Sequence, residues 1–360
     1  MGIKRIRLKN FRNYIDEEIN FSDNITLIYG ENAQGKTNII EALYLFSTGK
    51  SHRTGNTNEL IRYGETFFDI LLEFEDNNYL QSMEIKYEKG DRKKLFINDV
   101  KKEKMSDLLG VVPSVLFSPE SLSCIKGSPG ERRKVIDIVL CQISKKYLFN
   151  LQKYSKIVKN KNVLLKKKQY NSQIDVWNES LAKTGADIIR ERRRLVSSLE
   201  KRMKRIMLGI SEGTEDVSLR YRTSIGEDGE EYRSLMDILA KNKEKEIEHG
   251  ICLYGPHRDE IEILLNSKNS RYYCSQGQQR SLALALNIAV MEEIEEKTRK
   301  TPVLLLDDVM SELDENRRNY LYDLIKDKQA VITSTDKTQF RISDDKVSYV
   351  KIRNGTVVRI

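Results

Sequence analysis

Residues 30–37 read Gly-Glu-Asn-Ala-Gln-Gly-Lys-Thr, and much later the same chain reads Ser-Gln-Gly-Gln-Gln (275–279) and Val-Leu-Leu-Leu-Asp-Asp (303–308). The first stretch fits G-x-x-x-x-G-K-[ST] at every fixed position. It follows Ile25-Thr26-Leu27-Ile28-Tyr29, a β-branched apolar run suited to a buried strand. After it, residues 38–46 place apolar side chains at helical spacing. Strand, loop and helix are the context this motif needs, and together they demand an α/β fold. Gly30 and Gly35 let the backbone curl so that the amides of Glu31, Asn32, Ala33 and Gln34 point at phosphate oxygens, helped by the positive end of the helix. Lys36 is expected to reach the β- and γ-phosphates of ATP, and Thr37 to ligate Mg²⁺.

The downstream stretches supply what such a loop lacks. Val303–Leu306 follow Pro302 and read as a buried strand ending in Asp307-Asp308. Asp307 at the tip can join the Mg²⁺ shell, and Asp308 is placed to polarise an attacking water. Ser311-Glu312-Leu313-Asp314 come next, then a strand at Ala330–Thr333 and a turn at Ser334-Thr335-Asp336. An Asp-Asp pair after a strand is by itself more often a helix cap. In a chain that also carries a phosphate loop, metal and water are the better explanation.

The order of these pieces resembles the ABC-type ATPases of the SMC branch, and within it the bacterial RecF family. The resemblance runs from end to end: Lys9-Asn10-Phe11-Arg12-Asn13-Tyr14, Lys50-Ser51-His52-Arg53, Pro119-Glu120 through Gly127-Ser128-Pro129 to Glu131-Arg132-Arg133 and Asp137, Gly255-Pro256-His257-Arg258-Asp259, and Leu306-Asp307-Asp308 to Ser311-Glu312-Leu313-Asp314, Arg317 and Leu321. The signature is Ser-Gln-Gly-Gln-Gln where transporters carry Leu-Ser-Gly-Gly-Gln, and Asp308 stands where they carry Glu. The resemblance implies an ATP-dependent homodimer in which Ser275, Gly277 and Gln278 of one subunit close on the nucleotide of the other. It also implies double-stranded DNA and gapped or single-strand junctions as ligands, and RecR, with RecO and RecA, as partners. Arg12 and Arg53 become further candidate nucleotide contacts, and Glu120 falls in the Q-loop region.

The formal charge of +8 conceals an uneven distribution. Residues 145–205 hold 18 Lys and Arg against 5 Asp and Glu, so the remainder is net acidic. The apolar residues of this stretch space helically, from Leu148 to Leu164 and again from Ile174 to Ile206. Lys166–Ser172 between them reads as a turn. Two antiparallel helices follow, projecting as an arm with Lys153, Lys156 and Lys159 on one helix and Arg192, Arg193 and Arg194 on the other as candidate DNA contacts. A basic helical run is usually a solvated face; a concentration this large in an otherwise acidic chain points to phosphate backbones and to binding that ignores sequence.

The expected organisation is an ABC/SMC-type ATPase head with a P-loop α/β sheet and an antiparallel β segment (Phe67–Phe74, Leu80–Tyr87, Lys94–Ile97), plus an inserted α-helical arm. Residues 1–125 form the first half of the head, 126–245 the arm with one strand at Val217–Arg222, and 246–360 the second half, ending in a hairpin over Val347–Ile360 turned at Asn354-Gly355. The four cysteines show no C-x-x-C spacing and the start has no signal-peptide core, so a reducing cytoplasm is the expected location. An SMC-like DNA tether would need a far longer coiled coil than this interval holds. A transporter's nucleotide-binding subunit predicts no basic arm. A non-hydrolysing adaptor remains open, since it would share every feature except turnover.

Overall fold

The computed structural model describes residues 1–168, 172–226, 229–337 and 346–358. The chain forms two compact units, 1–122 with 283–360 and 123–282.

The first unit holds two six-stranded sheets. One has the order β15-β14-β3-β13-β12-β8, with β3 at Ile25–Tyr29, β8 at Ser114–Phe117, β12 at Val303–Asp307, β13 at Ala330–Ser334, β14 at Val347–Arg353 and β15 at Thr356–Val358. Every pairing in it is parallel except the terminal β14–β15 hairpin. β12 and β13 are buried along their whole length, as strands covered on both faces must be. The other sheet is antiparallel, in the order β2-β1-β4-β5-β6-β7: β1 Gly2–Phe11, β2 Tyr14–Asn20, β4 Phe67–Asp76, β5 Tyr79–Glu88, β6 Lys94–Ile97 and β7 Val100–Lys102. Asn77 and Asn78 turn β4 into β5, with φ of 51° and 65°. That is the left-handed pair a two-residue hairpin loop requires.

Helix α1 (Lys36–Thr48) packs into one apolar core with both sheets, through Ile39, Ile40, Leu43 and Phe46. The unit is completed by α10 (Glu315–Ile325), whose N-cap is Asp314, and by most of α9 (Gln276–Thr298), which carries the chain in from the second unit. The final hairpin turns at Asn354-Gly355 as expected; Arg359 and Ile360 lie outside the described residues.

The second unit is built on α5 (Gln173–Ile210), a helix of 38 residues. Around it stand α2 (Ser123–Lys126), α3 (Pro129–Ile143), α4 (Lys145–Leu165), α6 (Glu231–Lys241), α7 (Lys243–His249) and α8 (Ser270–Tyr273). A three-stranded sheet runs β11-β10-β9: Lys268–Asn269, Glu260–Leu265 and Val217–Arg222. α4 and α5 are antiparallel, with Asn150 bonded to Asp187 and Tyr154 against Gly185. Of the expected turn between them, Gln169–Asn171 lie outside the described residues. α3, α4, α6 and β9 all pack on α5.

The second domain boundary therefore falls at 282/283 rather than at 245/246. The physical reason is a set of long-range ties that fix residues 246–282 to the helices. Lys161 and Glu246 form an ion pair at 2.5 Å with neither side chain exposed to solvent. Arg132 grips Glu260 through two bonds of 2.8 Å. β10 pairs with β9 along six residues.

Candidate nucleotide site

The register of the parallel sheet assembles the site. Thr333 on β13 lies opposite Ile28 on β3 and Asp307 on β12, so three strands end level with one another at their carboxyl ends. That edge is where open α/β sheets bind ligands. The phosphate loop leaves β3 there, with Gly30 at φ 152° and Gly35 at φ 114°. Neither glycine tolerates a side chain. A Cβ on Gly30 would lie 2.3 Å from the carbonyl oxygen of Ile352, and one on Gly35 would lie 2.6 Å from the Asn13 amide.

The loop is braced from outside. Asn13 donates to the Gln34 carbonyl at 2.9 Å, Tyr14 donates to the Gly35 carbonyl at 3.0 Å, and the Asn354 and Gly355 amides donate to Gln34. Gln34 thus serves the loop's shape, while Glu31, Asn32 and Ala33 are exposed.

The side chains expected to act converge. Lys36 reaches back under the loop and donates to the Gly30 and Glu31 carbonyls at 2.6 and 2.7 Å. Burial pushes its pKa down, opposed by the charges of Asp308 and Asp307. Thr37 donates to Asp307 Oδ1 at 2.9 Å, across 270 residues of sequence. Burial raises the pKa of Asp307, against the hydrogen bonds from Thr333 and Thr37. A hydroxyl beside a carboxylate is a hard-oxygen donor pair suited to Mg²⁺, which keeps water and phosphate for its other positions. Among the described residues no group of three His, Cys, Asp or Glu could cage a metal alone. Asp308 sits at φ 52°, and its amide donates to Thr333 Oγ1 at 2.9 Å.

Thr333 is a site residue that the sequence analysis treats only as the end of a strand. Its hydroxyl donates to Asp307 Oδ1 at 2.8 Å while accepting from the Asp308 amide, so one side chain holds the Asp307 carboxylate and the Asp308 backbone. The signal was available: a hydroxyl at the tip of the strand that must lie beside the Asp-Asp strand. Glu41 is the other omission. It is fully buried in α1 and holds Arg12 through two bonds of 2.7 and 2.8 Å, with Ser51 and Arg53 also on it. Burial alone would raise its pKa; the hydrogen bonds and charges of Arg12, Ser51 and Arg53 outweigh that and lower it. Arg12 is therefore committed to Glu41, whereas Arg53 remains partly exposed beside Asn38. The His52 ring stands edge-on to Tyr44 at 5.4 Å, and Glu41, Glu120 and Asp307 are its acidic neighbours.

The signature belongs to the second unit. Ser275 and Gln278 cap the start of α9 reciprocally: the Ser275 amide donates to Gln278 Oε1 at 2.9 Å, and the Gln278 amide donates to Ser275 Oγ at 3.2 Å. The Gln278 amide nitrogen also donates to Glu215. Gln278, expected to touch nucleotide, thus spends its side chain on the cap. Ser275 is exposed.

The basic helices divide by face. Lys153, Lys156 and Lys159 are exposed on one side of α4. Arg192 is not available to DNA. It is only 3% exposed, donates twice to Asp137 at 2.9 Å and once to the Pro256 carbonyl at 2.6 Å, and lies against Tyr147. Arg193 is tied to Glu231 at 2.8 Å, and Arg194 is exposed beside Glu191. The same network gives Gly255-Pro256-His257-Arg258-Asp259 a structural role, since Asp259 accepts from Arg133 through its carbonyl and from Tyr221 through its carboxylate.

The sequence matches the family described as RecF/RecN/SMC N terminal domain over residues 2–358. The DNA replication and repair protein RecF of Acetivibrio thermocellus is 42% identical over 349 residues, covering 94% of this chain and 95% of that protein. The solved structure of the recombination mediator protein RecF with ATP, in the RecFOR pathway, is similar with a TM-score of 0.93 at 35% identity, over 100% of this chain and 97% of the other. An SMC head bound to the C-winged helix domain of ScpA is similar in fold, with a TM-score of 0.59 at 18% identity over 100% and 98% of the two chains.

Proposed function

The chain belongs to the RecF family of SMC-type ATPases, and from that premise we propose that it is an ATP-dependent DNA-binding protein of recombinational repair. Two copies associate with ATP held between them. The loop around Lys36, with Thr37, Asp307 and Asp308, belongs to one copy at each site, and Ser275 with the amides at the start of α9 belongs to the other. The 2.9 Å bond between Thr37 and Asp307 carries this reading, because it joins the phosphate loop to the carboxylate strand on one sheet edge. Mg²⁺ held by these two residues supplies positive charge to the phosphate oxygens. Asp308 orients the attacking water, and its carboxylate, one methylene shorter than glutamate, makes slow turnover the expectation.

ATP acts as the bridge, and its hydrolysis separates the copies. Duplex DNA near single-strand gaps lies on the basic face of α4 and stimulates turnover, and RecR, with RecO, connects the complex to RecA loading in the cytoplasm. Among the described residues no helix is long and apolar enough to cross a membrane.

The test is a mixed dimer. Lys36→Ala fails in its own loop and Ser275→Arg fails in the signature it lends, so each alone is inactive. In a mixed dimer both faults fall in one site and the other site is intact. Random pairing of equal amounts then restores at most about a quarter of wild-type turnover. Full activity in Ser275→Arg alone would end the shared-site reading.

A further inference from the structure

Immediately before the signature, Asn269 caps the short helix α8, accepting from the Arg271 amide at 3.0 Å. Two consecutive tyrosines on it, Tyr272 and Tyr273, are each 70% exposed. Exposed tyrosines are ordinary singly. Here the Arg271 guanidinium lies over the Tyr272 ring, 5.3 Å from its centroid, on one of its faces. Tyr272 also borders a cavity of about 230 Å³ with polar groups from Asn269, Glu262 and Arg271 on its wall. Ser275 follows Tyr272 by three residues, so the chain keeps their Cα atoms within about 11 Å of one another. A flat aromatic surface with a cationic backing, held that close to a phosphate-facing serine, matches the other end of a nucleotide.

We propose that Tyr272 and Tyr273 form a stacking plate for the base of the ATP held in the phosphate loop of a second copy. This rests on the shared-site reading and extends it: the signature copy contributes recognition of the base as well as of the γ-phosphate. Every base presents a π-face, and purines present the larger one, so the plate favours ATP over CTP as the bridge between copies.

The double variant Tyr272→Ala/Tyr273→Ala, altered only at exposed positions, is compared with wild type by two measurements. Fluorescent-nucleotide titration at protein concentrations too low for association reads binding in the copy's own loop. Sedimentation with ATP or CTP reads association. The expected result is unchanged nucleotide affinity in the monomer, ATP-dependent association weakened about tenfold or more, and most of the preference for ATP over CTP erased. Association as tight as wild type overturns the plate while leaving the shared site standing. Lost affinity in the monomer also overturns it, because the rings would then act within their own copy. A wild-type chain that stays monomeric with ATP overturns the shared-site reading and the plate with it.

Discussion

Acidifying the solution from pH 7 to pH 5 is expected to destabilise the second unit through one imidazole. His257 is half-buried between two partners: Tyr154 Oη lies 2.7 Å from its Nδ1, and the Cys252 carbonyl lies 3.1 Å from its Nε2. A carbonyl only accepts, so Nε2 carries the proton and Nδ1 offers a lone pair to the tyrosine hydroxyl. Protonating Nδ1 would end the Tyr154 hydroxyl's donation to it and place a positive charge in a half-buried site beside Arg258 and Lys161. Burial lowers the pKa of His257 to about 4 from its ordinary 6.5; the charges of Arg258 and Lys161 add to this, and the Cys252 bond and Glu246 oppose it. A histidine whose pKa falls on folding contributes stability that is complete above the unfolded value and is lost as pH drops toward the folded one. At pH 5 the unfolded chain gains most of a proton here that the folded chain refuses, worth about 2 kcal/mol. Urea unfolding of wild type and His257→Gln at both pH values reads the difference, since glutamine can still accept from Tyr154 and donate to Cys252. The variant should lose about 2 kcal/mol less than wild type between pH 7 and pH 5. Parallel losses in the two proteins would refute the assigned tautomer and the pKa together.

Thr333→Val keeps the shape of the strand tip but strands the Asp308 amide and takes a hydrogen bond from Asp307, so thermal unfolding should show a loss of about 1–3 kcal/mol and turnover should fall with it. Replacing Lys153, Lys156 and Lys159 with glutamate should weaken duplex binding on unrelated sequences alike; a titration of affinity against salt should show the log–log slope flattened by up to about 2.7, and an unchanged slope would move DNA off this face. Asp308→Asn should bind ATP and associate yet scarcely hydrolyse it, so that the dimer and its DNA complex outlive the wild-type ones in a chase experiment; wild-type turnover would assign the water to another group.

Much of the first unit was legible because its signals are local. The phosphate loop, the Asp-Asp strand and the three antiparallel strands each announce themselves within a few residues, and β3 and β12 lie within a residue of where their apolar runs place them. What the pattern lacks is register. Nothing in residues 303–308 or 330–334 says which strand lies between which, and only the order β3-β13-β12 brings Thr333 level with Asp307. Glu41 escaped for a related reason. A glutamate inside an otherwise apolar helix reads as a solvent-facing residue until its partners, Arg12 from one strand and Ser51 from the loop after the helix, are placed on it.

The basic helices show the opposite failure, where total charge obscured a pattern already present. Along α5 the buried stripe passes through Ile188, Leu195, Leu199, Met203 and Ile206, and Arg192 stands four residues after the first and three before the second. Helical spacing therefore puts Arg192 on the core side, with Arg194 two positions round from it. On α4 the buried positions Tyr154, Ile157 and Leu165 likewise take in Lys161, whereas Lys153, Lys156 and Lys159 fall outside that stripe. A cation on an apolar stripe must bring an anion with it, because an unpaired buried charge is too costly to keep. Asp137 answers Arg192 and Glu246 answers Lys161, each from a distant part of the chain. Both pairs subtract from the charge that DNA could meet, and the Lys161–Glu246 pair adds to what holds residues 246–282 in the second unit. Reading Arg192 as a solvent-facing cation therefore produced the overlarge DNA surface.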